Sequence, residues 1–94
     1  MDKGADFAEV RLIECHFWAW SEVDATGLAV ALVLRGFHIL VQRSAASLGD
    51  PALWNVEAGI EQSIDLTLSR DFTDELVRVA ASHSGQYDGW GTTV

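Results

Sequence analysis

Positive charge is scarce in this chain. Six lysines and arginines stand against fourteen aspartates and glutamates, for a formal net charge of -8. A surface this acidic repels phosphate, which argues against nucleic acid as the direct partner and favours basic protein segments, arginine-rich ones included. Cysteine is almost absent. Cys15 stands alone, so no intrachain disulfide is expected, and a reducing cytoplasm is the expected location. Long apolar runs are missing too. The longest, residues 28–34, is far short of the roughly 20 residues a membrane span requires. Residues 1–6 carry three charges and a glycine and do not read as a secretory signal, so no membrane partner is expected.

Motifs for the common chemistries are also lacking. There is no His-x-x-x-His, no Cys-x-x-Cys and no EF-hand loop. Adjacent Cys15 and His16 would point to opposite faces of a strand, away from a shared ion. No Gly-x-Ser-x-Gly is present, and Cys15 reads as a small apolar core residue. Gly85, Gly89 and Gly91 follow a helical pattern and have none after them, the reverse of what phosphate binding requires. Neither a metal nor a cofactor is expected.

What the chain does have is a core. Hydrophobic residues make up 49% of 94, with four tryptophans, enough for a single domain over residues 1–94 without a metal or disulfide staple. Residues 10–20 alternate as a strand, with Ile13, Cys15 and Phe17 toward the core and Glu14, His16 and Trp18 outward. Leu12 spoils the alternation. Ser21 caps a helix that runs to about Arg35 and stops at Gly36. That helix has two apolar stripes: Ala25, Leu28, Ala29 and Leu32 on one side, and Val23, Val30 and Leu34 nearly opposite. Only one stripe can lie on a sheet. The other is covered by loops or chain ends, or else is a contact surface for a partner or a second copy.

Residues 37–42 form the next strand, with Phe37, Ile39 and Val41 sharing a face. A loop spans residues 43–51. The cleanest alternation follows over residues 53–62: Trp54, Val56, Ala58 and Ile60 inward, Asn55, Glu57, Gly59 and Glu61 outward. Residues 63–69 read as a connection. Ser69 or Asp71 caps a second helix that buries Phe72, Leu76, Val79, Ala80 and His83 and ends at Gly85. In the closing strand, alternation sets Tyr87, Gly89 and Gly91 on one face. Asp88, Trp90 and Thr92 take the other, beside His16 if this strand pairs with the first. The order β-α-β-β-α-β predicts an α+β, ferredoxin-like fold, a four-stranded antiparallel sheet with two helices on one face and the first and third strands central.

Glu14, His16 and Glu57 would meet on the open sheet face. A histidine between carboxylates is a fair general base in a cleft; on a flat, solvated face the same residues are a polar surface cluster. One function class is therefore a protein-binding regulator, and the other a small enzyme or ligand-binding domain using Glu14, His16, Glu57 and Trp90.

The five-residue string Tyr87, Asp88, Gly89, Trp90, Gly91 resembles the bacterial regulator of ribonuclease E activity B family. So do His16 on the first strand and the alanine-rich helix of residues 25–31 followed by Gly36 and Phe37. The resemblance covers the chain from about Arg11 onward. It implies a ferredoxin-like domain that binds the arginine-rich, noncatalytic scaffold of a ribonuclease and lowers RNA turnover without catalysis of its own. Glu14, His16, Trp18, Glu57, Asp88 and Trp90 are then the expected binding residues. A homodimer through Val23, Val30 and Leu34 is a further expectation.

Overall fold

The computed structural model describes residues 9–44 and 53–92. Strand β1 (Val10–Ala19) opens them. Its period-2 pattern survives intact: Ile13, Cys15, Phe17 and Ala19 are fully buried, while Glu14, His16 and Trp18 are partly exposed. Helix α1 (Glu22–Val33) follows, its Ser21 side chain accepting from the Asp24 amide at 3.1 Å. Glu22 and Asp24 sit in the first turn, where the helix dipole favours acids. Gly36 closes the helix at φ +94°, a conformation that costs a side-chain-bearing residue.

Strand β2 (His38–Ser44) and strand β3 (Trp54–Ser63) pair antiparallel. A short helix α2 (Ile64–Thr67) then occupies what the sequence presents as a connection. It forms because the Ser63 hydroxyl accepts from the Leu66 amide at 3.1 Å and buried Thr67 accepts from Gln62 at 2.8 Å. Helix α3 (Arg70–Ser82) is capped by Ser69, not Asp71, at 3.2 Å from the Phe72 amide. It buries Leu76, Val79 and Ala80 as its spacing requires. Strand β4 (Gly85–Thr92) completes the sheet.

The sheet order is β2-β3-β1-β4, with every neighbouring pair antiparallel. The fold is the expected ferredoxin-like α+β arrangement, with β1 and β3 in the middle. Buried side chains of β1, β3, α1 and α3 form one core with Phe37 and Ile64, and Phe17, Ile13, Leu28 and Leu32 are its largest fully buried members. Each such side chain contributes roughly 1.5–3 kcal/mol on full burial. Arg35, just past α1, reaches Glu75 of α3 at 2.8 Å and so ties the two helices together at the surface, while Arg78 pairs with the same Glu75 within α3 at 2.7 Å.

Three local readings are corrected by the backbone. In β2 the register shifts between Ile39 and Val41. Val41 therefore stands opposite Glu57, on the open face, and Gln42 turns to the helix side, where it donates to Thr26 at 3.0 Å. At the end of α3 the left-handed turn is taken by Ser84 at φ +54°, not by Gly85. Gly85 is needed for room, since a Cβ there would lie 2.6 Å from the Trp18 carbonyl oxygen.

The third correction concerns Trp90. Tyr87 pairs with Phe17 and Trp90 with Cys15, so Asp88 and Gly89 together oppose the single residue His16. This is a β-bulge, with Gly89 at φ +105°. The inserted residue slips the alternation by one, so Trp90 joins Tyr87 on the helix side and packs against the core. Gly91 moves to the open face opposite Glu14. The expected placing of Trp90 outward beside Asp88 and His16 does not hold.

Candidate functional site

With both main helices on one side, the described residues leave the other side of the sheet uncovered, and β1 runs along its middle. Glu14, His16 and Trp18 present successive side chains there, and β3 and β4 supply neighbours from either side. Glu57 is directly opposite His16, its Oε2 3.7 Å from His16 Nδ1. Trp18 Nε1 donates to Asp88 Oδ2 at 3.3 Å. Asp88 follows Tyr87 and so points outward by alternation, next to β1 and across from His16. The structure thus brings together five of the six expected binding residues: Glu14, His16, Trp18, Glu57 and Asp88. It removes Trp90.

Glu14 has an unusual position. Its cross-strand neighbours are Gly59 on one side and Gly91 on the other, so neither partner residue brings a side chain of its own, and Glu14 remains partly exposed. Gly59 also admits two leucines that sequence reasoning did not assign to this face. A Cβ at Gly59 would meet Leu12 Cδ1 at 3.0 Å and Leu40 Cδ1 at 3.2 Å. Leu12 and Leu40 remain 42% and 44% exposed, so an apolar spot sits within an acidic surround of Glu14, Glu57 and Glu61. Two signals for it were in the sequence: Leu12 falling on the polar phase of its strand, and a glycine inside a strand, which marks close approach.

The side chains of His16 and Glu57 are 35% and 26% exposed. Water is not excluded, and a carboxylate–imidazole pair in contact with water gains little as a general base. Among the described residues, no group of three or more His, Cys, Asp or Glu side chains is placed to hold a metal ion. Cys15 offers no nucleophile: burial pushes its thiol up to about 12, only partly offset by Tyr87. The Tyr87 hydroxyl is itself buried without a strong hydrogen-bond partner beside that thiol. Burial first, then Cys15, raises its pKa. The two form a closed, uncharged contact behind the site. A groove of about 360 Å³ lies elsewhere, between α1 and α3, lined by Ala31, Arg35, Glu75, Arg78, Val79, Ser82 and His83. No described helix is long and apolar enough to cross a membrane.

A ferredoxin-like sheet with one face covered by helices and the other bare, acidic and studded with Trp18, Leu12 and Leu40 defines a small α+β domain with a broad exposed face. The family model described as "Regulator of ribonuclease activity B" matches residues 1–92, and the chain belongs to that family. It is 27% identical over 95 residues to the Regulator of ribonuclease activity B of Photobacterium profundum, an alignment that covers 98% of this chain and 70% of the relative.

Proposed function

We propose that this chain is a cytoplasmic, noncatalytic regulator that binds a ribonuclease through the bare face of its sheet and so modulates RNA turnover. The observation that carries the reading is the makeup of that face. Glu14 lies between two glycines, Glu57 and Asp88 flank its neighbour His16, and Trp18 and the Leu12–Leu40 spot supply apolar contact. This composition suits a basic segment of a protein partner, whose guanidinium groups pair with carboxylates and stack on Trp18. The name of the Photobacterium relative supports the ribonuclease as target. The net charge of -8 steers such a segment toward the domain and turns nucleic acid away.

The enzyme alternative is weaker on this geometry. It needed Trp90 as a wall beside Glu14, His16 and Glu57, and Trp90 packs toward the core instead. A second surface, the exposed stripe of Val23, Val30 and Leu34 on α1, is a contact region separate from the acidic face, open to a second copy.

The test is calorimetric titration of the chain against the ribonuclease of its source bacterium and against a basic segment of it. Affinity should fall at least about tenfold for Trp18→Ala and for Glu14→Lys, and should weaken as salt rises. Unchanged affinity across the salt series, together with wild-type binding by both variants, rejects the face as the binding site.

A further inference from the structure

Helix α1 is apolar almost all the way round. From Ala25 to Leu34 it carries no charged side chain, and its inner side (Ala25, Leu28, Ala29, Leu32) is already buried on the sheet. A helix with this composition is ordinarily covered on every side. Here the outer side is bare: Val23 and Leu34 are each 80% exposed, Val30 54% and Val33 53%.

Charge decides what covers it. The sheet face presents Glu14, Glu57, Glu61 and Asp88 together with His16 and Arg43, and the outer side of α3 mixes exposed Arg70 and Arg78 with Asp71 and Asp74. Two copies, each at -8, would have to bring charged side chains together across either of those surfaces. The outer side of α1 is neutral. Its few charges sit at the two ends with opposite sign, Glu22 and Asp24 in the first turn and Arg35 just past the last. Arg35 is held in place by the Ala31 carbonyl at 3.0 Å and by Glu75.

We infer that this chain self-associates as a two-fold dimer through α1, the two helices packed antiparallel. This rests on the reading of the Val23–Val30–Leu34 stripe as a contact surface, and it goes further by fixing register and orientation. Val23, Val30 and Leu34 recur at spacings of seven and four along one side, the seam that packs helix on helix. Gly27 between them is covered by His83, whose Nδ1 lies 2.8 Å from where a Gly27 Cβ would stand. Antiparallel packing that sets Val23 opposite Leu34 of the second copy also sets Glu22 opposite its Arg35. Acid then meets base at both ends, and the helix dipoles oppose. A parallel pair would instead put Glu22 and Asp24 beside their own copies. The seam is only about 18 Å long, at the small end of specific interfaces, so a weak, concentration-dependent dimer is expected.

The experiment has three arms. Sedimentation equilibrium of the wild-type chain should show a dimer that tightens as salt rises, because screening removes the repulsion between two acidic bodies. That is the opposite sign to the expected salt effect on ribonuclease binding, so failure of either reading shows separately. Val30→Lys with Leu34→Lys should stay folded by circular dichroism and become monomeric; unfolding, or a persisting dimer, overturns the inference. Under mild oxidation, a mixture of Val23→Cys and Leu34→Cys chains should cross-link to each other in clear excess over either chain alone. Buried Cys15 stays out of the reaction. Cross-linking of each variant equally well to itself overturns the antiparallel register, and a wild-type monomer at all concentrations and salts overturns the dimer.

Discussion

Gly89 shows how much one residue decides. Its φ of +105° has nothing within 4 Å of where a Cβ would stand, so crowding is not the reason for glycine there; the backbone angle is. Gly89→Val should therefore destabilise by about 1–3 kcal/mol through conformational strain, and Gly89→Asn should recover part of that. Trp90→Ala should cost a comparable amount, about 1–3 kcal/mol for a partly buried aromatic, with little direct effect on a partner at the opposite face. Denaturant melts of the three variants beside a binding titration check both. If Trp90→Ala melts like wild type but loses binding, the ring faces outward and the bulge assignment is wrong. Strand alternation could not foresee this. A bulge is a one-residue slip, and the pattern of Gln86 to Thr92 fits both phases because glycine is neither inward nor outward. The same slip at Leu40 misplaced Val41. Where no residue is inserted, as from Ile13 to Ala19 in β1 and Trp54 to Ile60 in β3, the alternation was legible and the meeting of His16 with Glu57 followed from it.

At the level of elements, the helices were readable because their ends are written in short polar side chains. Ser21, Ser63 and Ser69 each accept from an amide three residues on. Ser63 goes unnoticed only because a four-residue helix has too little periodicity to detect. The junction from α3 to β4 was less legible, since two adjacent small residues divide two jobs. Ser84 takes the left-handed turn, and Gly85 makes room for the Trp18 carbonyl. Gly85→Ala should then cost roughly 1–3 kcal/mol, because the clash is with backbone that cannot rotate away. Ser84→Gly should be neutral or stabilising by up to about 1 kcal/mol. Urea melts separate the two; equal losses at both positions would show that the turn, not the close approach, governs this corner.

For the molecule as a whole, the Cys15–Tyr87 contact sets a limit at high pH. An unfolded thiol loses its proton near its ordinary value of 9.0, whereas in the folded chain it holds the proton to about 12. Tyr87 is shifted the same way from 10.0. The folded state thus binds more protons than the unfolded one across this range. The stability involved is whole below about pH 9 and is lost as pH climbs toward about 12. Thermal melts from pH 8 to 11 should show a declining midpoint, with a shallower decline for Cys15→Ala because only Tyr87 remains. Parallel curves for the two proteins would mean the thiol does not titrate differently on folding.

The two bulges also bear on how the molecule behaves in a crowded cell. They lie in β2 and β4, and these are the two outermost strands of the sheet. An outermost strand normally offers a row of free amides and carbonyls on which another chain can zip, the route to fibres. Here each row is interrupted partway along, so an incoming strand falls out of step after a few residues. Both margins of the sheet are thus poorly suited to extension by a further strand.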